Sequence, residues 1–227
     1  MSNEEQQRAD QEPGESPEAP EEGQALPAPR GQPDLQQIPA QAIRLITNPV
    51  GFYQGMAKSG GLVEPLIFMV VLAVVAGVLS AVLSLAGFGM AGAMAGGLIA
   101  IILVPVFVVI FGFVGAAIAY VIWKMMGSQQ DFETAFRCVA YTAAIAPVTA
   151  VLNLVPYIGS LASALWPMAL LAIASIHVHR RSVQVSWAVF GIIGVILAFI
   201  SVSGEYTSRQ LVSGMEDWQE MLEQQRQ

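Results

Sequence analysis

The sequence predicts an all-α membrane protein built around a bundle of five transmembrane helices. Hydrophobic residues make up 55% of the chain and charged residues only 12%, and the mean hydropathy is +0.59. No Asp, Glu, Lys or Arg occurs between Glu64 and Lys124. Because a hydrocarbon core of about 30 Å needs about 20 apolar residues per helix, that interval holds two spans and a connection.

Residues 1–40 form an acidic, proline-rich tail that we predict to be disordered. They contain seven of the thirteen prolines and most of the acidic residues, and too little apolar surface to offset the entropy lost on ordering. The tail lacks the basic start and apolar core of a signal peptide, so we expect the first span to act as the targeting signal. It is a candidate contact for a cytoplasmic protein partner.

The next segment, residues 41–61, is predicted to be amphipathic and interfacial. Asn48 is typical of a helix N-cap, and Pro49 suits the first helical position because that position needs no amide donor. Phe52 and Tyr53 follow on or near one face of a short helix. Such segments usually lie in the headgroup layer; a docking surface for a partner is the alternative.

Five apolar segments then make up a membrane domain over residues 62–203. We place the spans at about 65–86, 98–123, 134–154, 158–176 and 185–202. The third and fourth spans share one uncharged run, and Asn153, Pro156 and Gly159 predict a tight hairpin between them. Pro156 cannot continue the third helix, and Gly159 permits backbone conformations closed to other residues.

Positive charge predicts the orientation. The loops on the N-terminal side carry six Lys or Arg near the membrane, whereas the opposite side carries only Arg209. Cytoplasmic loops hold such an excess, so the N-terminus is expected in the cytoplasm and the C-terminus outside. The residues predicted to anchor this face to anionic headgroups are Lys58, Lys124, Arg137, Arg180 and Arg181. His177 and His179 are two residues apart on a helix and point in different directions, which disfavours a shared metal site. With Arg180 and Arg181 they are interpreted instead as part of the cationic anchor.

The spans contain no ionisable residue at depth, which disfavours ion-coupled transport. Pro105, Pro147 and Pro167 are interpreted as helix kinks. The chain has no phosphate-binding loop, zinc-protease or serine-hydrolase motif, so we expect no enzyme, metal, cofactor or nucleic-acid partner. The rival hypothesis is a small transporter, channel component or lipid-handling protein with a polar cavity near Tyr141, Thr142, Thr149 and Asn153.

Two features favour contacts beyond one bundle. Small residues four apart let helices approach closely, within the bundle or in a homodimer; these pairs are Gly92 and Gly96, Gly115 and Ala119, Ala140 and Ala144, and Ser160 and Ala164. Residues 204–227 predict an acidic amphipathic helix with Leu211, Met215, Trp218 and Leu222 along one stripe. That helix either folds back onto the bundle or meets a partner.

Taken in order, the acidic tail, "LITNPVGFYQGM", five spans, "AYTAAIAPVTAVLNLVPYIG" and "ALW" resemble the Ypt-interacting-protein (Yip) membrane-domain family. Over about residues 45–200, the family-like positions are Asn48, Pro49, Phe52, Tyr53, Pro65, Tyr141, Pro147, Pro156, Gly159 and Trp166. The resemblance implies a multispanning protein with a cytoplasmic N-terminus that organises membrane or recruits partners without catalysis.

Eukaryotic members of that family are associated with Rab-type GTPases and vesicle traffic, and they often begin the first span with Asp-Leu-x-Gly-Pro. This chain has Leu62-Val63-Glu64-Pro65 there instead. It therefore looks more like a prokaryotic branch, which implies a bacterial cytoplasmic membrane. The resemblance carries over no catalytic residue.

Overall fold

The computed structural model describes residues 35–84, 86 and 93–225, and in this part of the chain it contains helices and no strand. A 3₁₀ turn at Leu35–Gln37 precedes eight α-helices. They are α1 (Ile38–Thr47), α2 (Pro49–Gln54), α3 (Val63–Leu83), α4 (Ala93–Met125), α5 (Phe132–Tyr141), α6 (Ala146–Leu152), α7 (Ile158–His177) and α8 (Val183–Gln224). Residues 1–34 of the tail predicted to be disordered lie outside the described residues, whereas residues 35–40 of that prediction are helical, in the 3₁₀ turn and the start of α1.

Among the described residues, five helical segments are long and apolar enough to cross a membrane, which confirms the predicted fold class. They are Val63–Leu83, Pro105–Met125, Phe132–Leu152, Ile158–His177 and Val183–Met215. The ends agree with the predicted spans within a few residues, with two exceptions. Helix α4 begins at Ala93, before the predicted span start at residue 98, and α8 continues well past residue 202.

The third span is broken where Pro147 removes a backbone donor and crowds the preceding turn. Helix α5 ends at Tyr141, a 3₁₀ segment covers Thr142–Ile145, and α6 restarts with Pro147 in its first turn. Pro105 and Pro167, by contrast, lie inside uninterrupted α-helices. Of the three predicted kinks, the one at Pro147 therefore changes the helix type.

The helices pack around one core, and Trp123 of α4 reaches Phe190 of α8 with ring centroids 5.6 Å apart. Helix α7 packs against α8, and α3 packs against α4, α5 and α6. The chain reversals meet at two ends of the bundle. We call the end formed by residues 55–62, 124–131 and 177–182 the basic end, and the end formed by residues 153–157 the hairpin end.

The segment at 41–61 packs against the bundle through its apolar face. Leu45 is 0% exposed and Tyr53 1%, and both belong to the same core cluster as Phe68 and Trp123. Helix α1 packs against the 3₁₀ segment of the third span, and α2 packs against α7. The face that carries Leu45 and Tyr53 is thus covered by this chain's own helices.

Helix α8 is one continuous helix of 42 residues, so the predicted boundary between a fifth span and a separate C-terminal helix does not exist. At 1.5 Å per residue it measures about 63 Å, roughly twice the hydrocarbon thickness. Gly204 does not interrupt it. The C-terminal segment therefore does not fold back onto the bundle but continues the axis of the fifth span.

Candidate functional site at the basic end

Tyr141 is the residue on which three elements of the basic end converge. Its ring makes edge contacts with Phe52 of α2 and Phe68 of α3, with centroids 5.1 and 5.0 Å apart. Its hydroxyl donates to Oε1 of Glu64 at 3.4 Å. Edge-to-face aromatic pairs stabilise beyond the area that they bury. Tyr141 therefore ties the N-terminal helix pair to both the first and the third span.

Asn48 and Tyr53 position that helix pair. The Asn48 side chain accepts from the Gly51 amide at 2.9 Å and caps α2, with Pro49 in the first turn as predicted. The Tyr53 hydroxyl donates to the Cys138 carbonyl at 3.3 Å. Burial raises the pKa of the Tyr53 phenol well above its usual value, so it remains a neutral donor. At the end of α2, Gln54 contacts His177 through Nε2 and Nδ1, 3.3 Å apart.

Arg137 is a buried ion-pair partner, which corrects its predicted role as a headgroup anchor. Its side chain is 1% exposed. Nη1 lies 3.4 Å from Oε2 of Glu64, and Nε lies 3.4 Å from Oε1 of Glu133. Because the guanidinium is enclosed and has two carboxylates beside it, it cannot reach a lipid phosphate.

The glycine loop before α3 completes this cluster. Nη2 of Arg137 donates to the Gly61 carbonyl at 2.9 Å, and the Gly61 amide donates to Glu133 Oε1 at 2.7 Å. Gly60 and Gly61 have φ values of 127° and 88°, a region that side chains disfavour. The loop turns sharply enough to present both backbone groups of Gly61 to α5 because these two positions are glycine.

His179 forms a second buried cluster with the end of α4. Its ring stacks on Trp123, with centroids 3.8 Å apart, and Nδ1 lies 2.8 Å from the Ser128 hydroxyl oxygen. Burial, followed by the nearby Lys58, Arg181 and Lys124 charges, lowers the pKa of His179 to about 3. The ring is therefore neutral at physiological pH and does not act as the cationic anchor that the sequence predicts.

The remaining predicted anchors differ in availability. Lys58 donates to the Val178 carbonyl at 3.5 Å, and Arg181 donates to Met126 at 2.8 Å and to His179 at 3.0 Å through backbone carbonyls. Both cations thus bind carbonyls near helix ends, where the helix dipole favours positive charge. Lys124 and Arg180 are exposed, and Lys124 lies over the Tyr120 ring at 5.4 Å. These two side chains are open to lipid headgroups.

Glu205 joins the hairpin end to α8. This contact was not predicted from the sequence, which placed Glu205 in a separate C-terminal helix. Its carboxylate accepts from the Tyr157 amide at 3.1 Å and from the Ser160 hydroxyl, both at the start of α7. A carboxylate is favoured at a helix N-terminus. Arg209, one turn further on, donates to Glu205 at 2.7 Å. The four-residue spacing of Glu205 and Arg209 is the signal that could have indicated a fixed pair.

The hairpin also differs from its predicted mechanism. The residue with positive φ is Tyr157, at 63°, whereas Gly159 lies inside the first turn of α7. A Cβ on Gly159 would lie 2.3 Å from the Asn153 Cα. Gly159 is therefore required by close packing across the hairpin, and Pro156 is exposed at its tip.

The residues of the rival transport hypothesis make separate contacts. Thr142 donates to the Val139 carbonyl at 2.6 Å and Thr149 to the Ala146 carbonyl at 3.1 Å, each within its own span. Asn153 packs beneath Gly159. An open groove of about 500 Å³ lies elsewhere, along α7, and its lining is apolar; the lining residues are Ile158, Leu161, Ala162, Leu165, Trp166 and Ala169.

No group of three or more His, Cys, Asp or Glu that could hold a metal occurs among the described residues. The chain matches no curated protein and no solved structure. A family model described as the Yip1 domain matches residues 43–204, well over half of the chain. The match includes the first four spans and the fifth span as far as Gly204. This multi-pass integral membrane protein therefore belongs to the Yip1-domain family.

Proposed function

We propose that the protein is a non-enzymatic membrane scaffold that recruits a cytoplasmic protein through its acidic N-terminal tail. The observation that carries this proposal is the burial of α1 and α2 in the bundle core, with Leu45 0% and Tyr53 1% exposed. A helix pair held in this way fixes the point at which the tail leaves the membrane domain. The tail then acts from one defined position rather than from a freely moving anchor.

The charge distribution supports placing this face in the cytoplasm, and a bacterial inner membrane is the location that we propose. Lys58, Lys124, Arg180 and Arg181 all lie at the basic end, whereas Arg209 lies at the hairpin end. The excess of Lys and Arg on one side follows the rule for cytoplasmic loops. A strongly acidic tail is repelled by anionic lipid and remains available to a basic protein surface.

The orientation is tested with cysteines at the two ends. Cys138 is buried, so the native thiol adds little background to labelling. A membrane-impermeant maleimide is expected to label Ser182→Cys in inside-out vesicles and Ser213→Cys in right-side-out vesicles. The reverse pattern would place the basic end outside and exclude a cytoplasmic partner for the tail.

Recruitment is tested by crosslinking in native membranes with three forms of the chain. These are the full chain, a chain lacking residues 1–34, and a full chain in which the acidic residues of the tail are changed to their amides. These nine residues are Glu4, Glu5, Asp10, Glu12, Glu15, Glu18, Glu21, Glu22 and Asp34. We expect one set of proteins to crosslink to the full chain and to be lost from both variants. Recovery of the same proteins with all three forms contradicts the proposal.

The apolar groove along α7 supports a second candidate, a lipid-handling protein. Its lining residues extend from Ile158 to Ala169, about 17 Å of helix, and face the region occupied by acyl chains. Liposome assays with Ala162→Trp, which would fill the groove, test this candidate, and Tyr141→Phe and Asn153→Ala test solute transport through a polar cavity. Saturable movement of lipid or solute by the wild type, reduced in a variant, would favour it over the scaffold.

A further inference from the structure

The C-terminal part of α8 extends beyond every other helix at the hairpin end of the described structure. Glu205 contacts Tyr157 and Ser160, so it marks the level at which the third and fourth spans turn. The helix then continues from Tyr206 to Gln224, a further length of about 28 Å. We call residues 206–224 the projecting helix.

The projecting helix has an uncovered apolar stripe. Leu211, Met215, Trp218 and Leu222 are 65%, 60%, 66% and 55% exposed. Their spacing of four, three and four residues is the 3.5-residue repeat of a coiled-coil seam, with Leu211 and Trp218 at d positions and Met215 and Leu222 at a positions. Trp218 and Leu222 lie beyond the fifth candidate span, which ends at Met215, and an exposed apolar stripe that continues past a span marks an interaction surface.

The charge pattern indicates what covers it. In the sequence, Glu216, Asp217, Glu220 and Glu223 occupy heptad positions b, c, f and b. The positions that flank the seam, e and g, hold Val212, Gly214, Gln219 and Met221 instead. Since e and g residues face each other between paired helices, two copies of this helix meet without opposing carboxylates. If the partner were a basic helix, we would expect acidic residues at the e and g positions of the projecting helix.

The same stripe continues toward the membrane through small residues. Ser208 and Gly204 precede Leu211 in the heptad register, and a Cβ on Gly204 would meet nothing within 4 Å. Gly204 lies about 100° around the helix from Glu205, which faces α7. Small residues at this level let two helices approach closely. Two copies inserted in one membrane also share their orientation, which makes a parallel, in-register pair the natural arrangement.

We propose that the projecting helix pairs with that of a second copy of this chain, forming a short parallel coiled coil at the hairpin end. This surface differs from the small-residue faces considered from the sequence, because Ala119, Ala140, Ala144 and Ala164 are buried inside the bundle. Confinement in the membrane raises the effective concentration of the two helices, which compensates for the shortness of the seam.

Cysteine crosslinking of the full chain in liposomes tests the pairing. Trp218→Cys lies in the seam, and Ser213→Cys is the matched control at an f position on the far side of the same helix. Cys138 is buried and contributes little. At low protein-to-lipid ratio, oxidation is expected to give about tenfold more disulfide-linked dimer for Trp218→Cys than for Ser213→Cys, because thiols in a seam remain in reach of each other. Equal yields, or no dimer from either, overturn the proposal.

A second measurement separates pairing from misfolding. Leu211→Glu combined with Leu222→Glu places charges in the seam, and because both side chains are exposed the packing between the helices of one chain remains intact. Fluorescence energy transfer between labelled copies in liposomes is expected to fall to the background of a monomer, with thermal unfolding unchanged. Retained energy transfer overturns the proposal. Another combination of results also overturns it: the wild type shows no energy transfer, and the thiol of Trp218→Cys is protected from a water-soluble maleimide. Lipid would then cover the stripe.

Discussion

Nη1 of the buried Arg137 lies 3.4 Å from Oε2 of the half-exposed Glu64, so the start of the first span is joined to the third. The two members of the pair have unequal surroundings, with 1% and 45% of their side chains exposed. Arg137 has further partners in Glu133 and the Gly61 carbonyl. The pair therefore depends on Arg137 more than on Glu64.

Arg137→Ala is expected to lower the free energy of unfolding by about 3 kcal/mol, because it empties a buried position and releases the loop at Gly61. Glu64→Gln is expected to cost less than about 1 kcal/mol, since its carboxylate is half solvated. Unfolding in detergent at pH 7 measures both, with Lys124→Ala as the exposed control. A loss for Glu64→Gln as large as that for Arg137→Ala contradicts this account.

Tyr53→Ala is expected to release α1 and α2 from the bundle. The side chain is 1% exposed, and truncating a buried aromatic residue costs about 3–5 kcal/mol. Tyr53→Phe removes only the hydrogen bond to Cys138, worth about 1 kcal/mol, and predicts a milder effect. The rate of tryptic cleavage after Arg44 in reconstituted protein measures the opening of this segment.

The control for this experiment is Val50→Ala, on the exposed side of the same short helix. We expect cleavage about fivefold faster for Tyr53→Phe, much faster for Tyr53→Ala and unchanged for Val50→Ala, since local opening sets the rate. If all three variants are cleaved like the wild type, the helix pair is not held by Tyr53.

The membrane domain should lose stability on mild acidification because of His179. Its pKa is lowered to about 3 in the folded protein, against about 6.5 when unfolded. Between these values the unfolded chain binds the extra proton, so stability falls as the pH decreases, by up to about 1.4 kcal/mol per pH unit. Melting temperatures measured from pH 7 to pH 5 are expected to fall for the wild type and to change less for His179→Gln. His177→Gln is the matched control, and an equal flattening by both variants would assign the effect elsewhere.

The five spans were predictable because the charge-free intervals and the hairpin residues are local features of the sequence. Contacts between side chains that are distant in the sequence were harder to predict. Arg137 lies near a span end in the sequence, and from its position alone it could be a headgroup anchor or a member of a buried ion pair. Its carboxylate partners, Glu64 and Glu133, come together around it only when α3 and α5 pack. The same applies to Glu205, whose partner Tyr157 lies 48 residues away in the chain.

The continuity of α8 was missed for a different reason. The apolar run ends near residue 202 and an acidic segment follows it, so two helices were predicted, and Gly204 with its low helix propensity lies at their junction. Glu205 and Arg209 lie four residues apart and form an ion pair, and Glu205 also accepts from the backbone at the start of α7. These contacts hold the backbone helical through Gly204. Tertiary contacts thus outweighed the low helix propensity of one residue.

Gly159→Ala is expected to disrupt the hairpin, although alanine favours helices more than glycine does. The added Cβ would lie 2.1 Å from Asn153 Oδ1, 2.3 Å from its Cα and 2.6 Å from its amide nitrogen. Two of these atoms belong to the backbone, so the third and fourth spans must separate at the hairpin. Overpacking of this kind costs about 1–3 kcal/mol or more.

Gly191→Ala is the matched control, since Gly191 lies within the first third of α8 and its Cβ would meet nothing within 4 Å. We expect it to leave the unfolding free energy unchanged or to raise it by up to about 1 kcal/mol. The double variant Gly159→Ala with Asn153→Ala tests the cause, because it removes the Asn153 side chain but keeps its backbone. Since the Cα and the amide nitrogen would still clash, the double variant should remain as unstable as Gly159→Ala alone. Recovery of wild-type stability would show instead that only the Asn153 side chain opposes a residue larger than glycine.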